Sequence, residues 1–214
     1  MSNQPASFRK RHVVVLAHPS STSFNGLVAD AYCEAVHACG QEAIVRDLYA
    51  LGFDPILKDH ERAGRAAFAL SEDVKAELDI IHSSDVLVLI YPIWFGMPPA
   101  MLKGYIDRVL GAGITSREIR TGAIETVLRS QRLVSITSSG NSKSWLNEQH
   151  QLESLRTLAG RYLAHALGMK SFEDLHFGEI AEGLAQEYID QNLSVVDTRA
   201  RAICAAVLAD QPAR

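Results

Sequence analysis

The chain has 214 residues, of which 47% are hydrophobic and 21% charged, and its formal net charge is -4. This suits one domain with a sizeable core, burying roughly 70% of the surface of the unfolded chain, and it excludes an overall basic footprint for nucleic acid. Cys33, Cys39 and Cys204 match neither a disulfide framework nor a zinc motif, so a reducing, cytoplasmic setting and no bound metal are expected. No apolar stretch approaches the ~20 residues of a membrane helix. The opening MSNQPASFRKRH lacks the apolar region of a secretory leader, so neither membrane insertion nor export is expected.

In chain order, residues 1–10 are expected to be a disordered tail and 11–214 a single domain. Residues 13–17 (VVVLA) read as a strand buried on both faces. Residues 25–39 carry Leu27, Val28, Ala31, Tyr32, Ala35 and Val36 at helical spacing, with Gly40 as a stop. A second strand is predicted over 43–46. An irregular loop containing Gly52 and Pro55 follows over 51–60, then helix, in one or two pieces, over 61–82. Residues 86–90 (VLVLI) predict the central strand, and 99–110 an amphipathic helix opened by proline. The stretch 111–130 is a Gly-containing connection with room for a short helix. Strand over 133–137 (LVSIT), helix over 146–167, strand over 171–177 and helix over 181–208 complete the pattern.

This alternation implies an α/β three-layer sandwich, with a parallel sheet between helices on both faces. Right-handed crossovers leave few topologies, and the flavodoxin-like order 2-1-3-4-5 fits five strands. Ligands of such sheets bind outside the carboxyl ends of the strands, where the strand order reverses. That directs attention to the segments after Ala17, Ile90 and Thr137.

The first segment, His18-Pro19-Ser20-Ser21-Thr22-Ser23-Phe24-Asn25, is dense in hydroxyls and leads into a helix. Helix N-termini attract phosphate through unpaired N–H groups, and Ser and Thr add donors; capping by Ser23 or Asn25 explains the same residues. The second segment, Tyr91-Pro92-Ile93-Trp94-Phe95-Gly96-Met97-Pro98-Pro99, places two large aromatics in a proline-pinned turn. Trp94 and Phe95 suit the wall of a planar apolar ligand, with Gly96 permitting close backbone approach, or they cover the core beneath the loop. The third, Ser138-Ser139-Gly140-Asn141-Ser142-Lys143-Ser144, is small and polar, and its interest is that it is the third loop on one edge.

AHPSSTSFN at 17–25, YPIWFGMPPAMLKGYIDRV at 91–109 and, more loosely, LVSITSSG at 133–140 are similar to motifs of the NAD(P)H:quinone oxidoreductase (DT-diaphorase-like) family. The resemblance implies a flavodoxin-like homodimer that binds FAD, with FMN as the alternative, and passes hydride from NAD(P)H through the flavin to a quinone-like acceptor in ping-pong order. It implies that His18, Thr22, Ser23, Phe24 and Asn25 line the phosphate side of the flavin. Pro92, Ile93, Trp94, Phe95 and Gly96 would contact its ring system, and Thr137, Ser138, Ser139 and Gly140 its pyrimidine or ribityl edge. The family's proposed catalytic Tyr and His correspond to Trp145 and, with one residue deleted, to His150. Indole donates one hydrogen bond but is no acid or base near neutral pH, whereas imidazole has a suitable pKa. A non-catalytic flavin-binding subunit of a transporter, a one-electron flavodoxin carrier and a nitro- or azo-reductase are the alternatives. His12, His37, His60, His82, His165 and His176 are scattered and show no metal-ligand spacing.

Overall fold

The computed structural model describes residues 9–126, 128–129 and 131–210. Five parallel strands form one sheet in the order β2-β1-β3-β4-β5: β1 Arg11–Leu16, β2 Glu42–Asp47, β3 Val86–Pro92, β4 Arg132–Ser138 and β5 Ser171–Phe177. This is the expected flavodoxin-like order. The apolar runs become central strands because both of their faces are covered. Val14, Leu16, Val86, Val88, Ile90, Val134 and Ile136 pack against α1 (Phe24–Ala38) and the C-terminal helix Gln186–Ala209. The alternate residues Val13, Val15, Leu87, Leu89, Tyr91 and Leu133 pack against the helices on the opposite face.

Several of those helices depart from the sequence expectation. Helix α2 spans Glu72–His82, whereas helix was expected from residue 61. Residues 62–71 run as turns, with Gly64 at φ +79°, because Glu61 is drawn into the interior by Arg108. Helix α3 (Ala100–Tyr105) ends in a π-helical turn, Ile106–Leu110, that carries Arg108 inward. A short helix α4, Ser116–Thr121, occupies part of the ambiguous connection.

The helix expected over 146–167 is broken instead. Helix α5 (Lys143–Glu148) ends before His150, whose φ is 57°, and α6 (Gln151–Leu155) begins beyond it. Leu146 and Leu152 are the buried residues of these two helices, and six residues of unbroken helix would point them to different faces. The left-handed residue re-phases the second helix onto the sheet. A π-helical stretch (Arg156–Tyr162) and α7 (Leu163–Ala166) follow, and a Cβ at Gly160 would lie 2.2 Å from the Phe172 ring. The closing helix, α8, starts at Gln186 rather than 181, since Gly183 (φ +79°) keeps the preceding residues in a turn. Residues 1–8 of the expected tail lie outside the described residues. Lys10 is anchored by an ion pair to Asp85 at 2.8 Å.

Candidate functional site

The carboxyl edge of the sheet brings the three singled-out loops together. Ser23 caps α1, its Oγ accepting from the Gly26 N–H at 3.2 Å. The chain folds tightly over this helix end: a Cβ at Gly26 would come within 2.8 Å of the Ser21 carbonyl oxygen. Ser20, Ser21 and Thr22 stand exposed above the first turn, and the Ser20 and Thr22 hydroxyls are 3.1 Å apart. His18 turns its Nδ1 to the Ser20 N–H at 3.0 Å and lies 5.9 Å from Trp94, centroid to centroid. A helix N-terminus beneath a rim of hydroxyls has the chemistry to attract an anionic group. The capping reading is borne out by Ser23, and the hydroxyls of its neighbours Ser20, Ser21 and Thr22 stay exposed beside it.

The second loop turns sharply. Trp94 and Met97 exchange two backbone hydrogen bonds at 3.0 Å, and between them Phe95 (φ 50°) and Gly96 (φ 76°) both take positive φ. This is the signature of a type I′ turn. It holds Phe95 in a left-handed conformation that bulky residues rarely adopt and leaves its ring wholly exposed. The Ile93 N–H donates to the Ser138 carbonyl at 2.7 Å, joining the second loop to the third. The third loop is joined to the first by the Ser138 hydroxyl, which donates to Asn25 Oδ1 at 2.8 Å. Phe24 packs edge-on to Phe177, at 5.5 Å, beneath both.

A cleft of about 300 Å³ opens between the second and third loops, lined by Ile93, Phe95, Gly96, Ser139, Gly140, Asn141, Trp145, Leu146 and Gln151. Its size lies at the lower end of small-molecule sites, about 300 Å³. Of the sequence-predicted residues, Ile93, Phe95, Gly96, Ser139, Gly140 and Trp145 line it directly. Pro92, Thr137 and Ser138 are buried behind it, and the hydroxyls of Thr137 and Ser138 are committed to internal hydrogen bonds. His18, Thr22 and Ser23 surround the neighbouring start of α1, where Phe24 and Asn25 are buried, and Trp94 stands at the junction. His150 is exposed at the break between α5 and α6 and is not among the cleft-lining residues.

Asn141, Leu146 and Gln151 line the cleft without having been singled out. The unforeseen residue with the richest bonding is His176. It pairs with Thr137 across the β4–β5 register, and its Nδ1 and Nε2 lie 2.9 and 3.1 Å from the hydroxyls of Thr137 and Ser139. Burial lowers its pKa to about 4, with Lys143 and Arg156 adding to the effect and Asp174 opposing it. Its signal in the sequence is positional: it faces Thr137 and Ser139 only once β4 and β5 are aligned.

The family model described as flavodoxin-like fold matches residues 10–200. An uncharacterised NAD(P)H oxidoreductase of Haemophilus influenzae is 30% identical over 79% of this chain and 84% of its own length. Rat NAD(P)H dehydrogenase [quinone] 1 is 30% identical over 64% of this chain, which spans 56% of the rat protein. The solved structure of an NAD(P)H:quinone oxidoreductase from Methanothermobacter marburgensis superposes with a TM-score of 0.77 at 26% identity, covering 91% of this chain and 97% of that one. No helix among the described residues is long and apolar enough to cross a membrane. By the extent of the family match and the identity to relatives, the chain belongs to the flavodoxin-like family, in its branch of NAD(P)H:quinone oxidoreductases.

Proposed function

We propose that this chain is a flavin-dependent oxidoreductase that transfers hydride from NAD(P)H to quinone-like acceptors in ping-pong order. The observation that carries this reading is the coupling of two unlike half-sites on one sheet edge. A hydroxyl-rimmed helix N-terminus lies beside an aromatic-walled cleft, and Trp94, Asn25 and Ser138 tie them together. Their donor sets fit a cofactor with an anionic phosphate chain at one end and a planar ring system at the other. A bound flavin supplies the hydride-accepting chemistry.

The chain's own residues bind and orient. The first turn of α1 with Ser20 and Thr22 would hold the phosphates. The Ile93–Gly96 turn with Phe95 and Trp145 would wall the rings, and Ser139, Gly140 and Asn141 would border their polar edge. Trp145 can donate one hydrogen bond through its indole N–H. FAD is the preferred flavin, since the first loop resembles the FAD-binding branch. A homodimer accords with the wholly exposed Phe95 and the half-exposed Trp145 and Met97 around the cleft, and a cytoplasmic location with three free cysteines.

The test is the visible spectrum of flavin-reconstituted protein before and after anaerobic NADH or NADPH. A bound-flavin spectrum that bleaches and returns on adding a quinone upholds the reading, and chromatography of the released cofactor distinguishes FAD from FMN. Protein that takes up neither flavin overturns it; bound flavin that no nicotinamide reduces makes the chain a carrier or regulatory subunit. Trp94→Ala is expected to weaken flavin retention, read as flavin content after gel filtration. His150→Ala is expected to slow turnover modestly, and an unaltered rate across the pH range would remove His150 from the site.

A further inference from the structure

Behind the third loop lies a buried group of neutral polar side chains centred on His176, a residue to which the proposed function assigns no part. Thr137 and Ser139 are two residues apart at the end of β4, so both side chains point to the same side of the sheet. His176 of β5 stands between them, no more than 9% exposed. The hydrogen bonds determine its tautomer. The Ser139 hydroxyl donates its only proton to the Asn141 carbonyl at 2.9 Å. Its oxygen therefore accepts from His176 Nε2–H at 3.1 Å. Nδ1 is then bare and accepts the Thr137 hydroxyl proton at 2.9 Å, a better bond than the 3.4 Å alternative to the Leu175 carbonyl. One imidazole thus satisfies two hydroxyls with one donor and one acceptor, which only the neutral ring can do.

The backbone around it depends on this arrangement. The Ser139 N–H donates to the Phe177 carbonyl and the Ser139 carbonyl accepts from Ile180, at 2.9 Å each, while the Asn141 carbonyl also accepts from Glu179 at 3.1 Å. The segment that borders the cleft is thereby stapled to the end of β5, with His176 at the base of the staple. The groups facing the ring keep it neutral. Lys143 of α5 and Arg156 of the π-helical stretch oppose a positive charge; Asp174 of β5, which favours one, is already paired to Arg156 at 2.7 Å. Tyr91, Ser135 and Asp174 line the small cavity beside it.

We propose that His176 is a positioning residue of the cofactor site, a neutral imidazole clamp that holds Thr137 and Ser139 so that the 139–141 backbone presents a fixed polar edge to the flavin. This rests on the flavin reading above, but its first test does not. In apo-protein, ¹⁵N spectra of the imidazole are expected to show the Nε2–H tautomer at pH 7 with no protonation until the pH nears 4. A doubly protonated ring or the Nδ1–H tautomer at pH 7 overturns the clamp, whether or not flavin binds. Failure of the wild-type protein to bind either flavin would sink the functional reading and leave the clamp to be judged by the spectra.

The second test is flavin affinity by fluorescence quenching. His176→Leu removes both bonds and is expected to raise the flavin Kd at least tenfold. Glutamine offers one donor and one acceptor but does not titrate, so His176→Gln is expected to stay within threefold of wild type. Towards pH 4 the wild-type protein is expected to lose affinity while His176→Gln does not. Should the leucine variant fail to fold, Thr137→Val removes one arm of the clamp and is expected to raise Kd about fivefold. Wild-type affinity in a folded His176→Leu or in Thr137→Val, or equal losses in the leucine and glutamine variants, overturns the proposal.

Discussion

Two polar clusters are buried on the same side of the sheet and are held by opposite means. Arg108, 1% exposed, is held chiefly by carboxylates. Its guanidinium donates to both oxygens of Glu61 at 2.9 and 2.7 Å, reaches Asp73 at 2.7 Å, and lies 5.2 Å from the Phe53 ring. Around His176, among the described residues, no side chain within hydrogen-bonding distance is charged: two hydroxyls meet a neutral imidazole. The first cluster fastens a segment that buries little apolar surface of its own, residues 54–73, to the π-helical turn after α3. The second lies directly behind the cleft. A fixed charge at that depth would act through a low effective dielectric on whatever binds there. Charge thus fastens the scaffold where only position matters, and neutral bonding shapes the edge of the proposed cofactor site.

The charged cluster is the place to break this contrast most severely. Arg108→Met leaves Glu61 as a buried carboxylate with only Ser71 and the Lys58 N–H to satisfy it. The expected loss is about 3–5 kcal/mol of stability, measured by urea denaturation. Arg108, as the main cause, holds the Glu61 pKa down to about 2. A depressed carboxylate contributes stability that is present above its unfolded value of about 4.5 and is lost as pH falls towards 2. The variant lacks this contribution, so its stability deficit relative to the wild type should narrow as the pH falls from about 4.5 towards 2. A variant that unfolds in urea and acid as the wild type does would show that the ion cluster is dispensable.

At the neutral edge the severe constraint is steric. Gly26 is not needed there for positive φ; it is needed because the Ser21 backbone carbonyl occupies the position that a Cβ would take. Gly26→Ala is expected to cost about 1–3 kcal/mol and to weaken flavin binding, because the loop must lift from the helix end. Calorimetry and flavin titration read the two effects separately. Loss of stability with full flavin affinity would detach the start of α1 from the cofactor.

The two histidine-bearing clusters of the core supply a smaller, pH-dependent term. His176, with its pKa lowered to about 4, stays neutral in the folded chain while the unfolded chain protonates near 6.5. Between those values the unfolded state binds more protons, so stability rises with pH, by up to about 1.4 kcal/mol per unit from this site. His12, whose pKa burial also lowers and which is bonded to Tyr32 and Gln41 at 2.9 Å, adds a term of the same sign. His176→Gln is therefore expected to flatten, but not abolish, the pH dependence of the melting temperature from 4 to 6.5. An unchanged slope would mean that the ring is not held neutral.

The sheet was legible because a doubly covered parallel strand is written as consecutive apolar residues, so VVVLA, VLVLI and LVSIT announce themselves and β5 spans Ser171–Phe177 as read. The helix over 61–71 was misread because its competitor is tertiary. The partner that pulls Glu61 inward is Arg108, 47 residues away, and no local pattern encodes that pairing. The break at His150 is similarly invisible to periodicity, since it exists to re-phase Leu152 against a sheet that the local sequence does not describe. In the site, the hydroxyl-rich and aromatic loops stood out by composition. His176 did not, because its partners lie 37 and 39 residues back and become neighbours only through the register of β4 and β5.

The smallest expected effect sharpens the contrast from the side of strain. Phe95 holds a left-handed φ of 50° with its ring in solvent, so neither its backbone nor its burial favours folding. A non-glycine residue in this region costs of order 1–2 kcal/mol. Phe95→Gly should therefore stabilise the chain by about 1 kcal/mol, seen as a melting temperature a few degrees higher. The same change removes one wall of the cleft, so turnover with a planar acceptor should fall even as stability rises. This opposition is what separates a residue kept for binding from one kept for folding. If Phe95→Gly stabilised the protein and left the acceptor KM untouched, the exposed ring would have no part in the cleft. If it destabilised the protein, the turn would draw its stability from contacts of the ring, and the strain at this position would not be the cost of function.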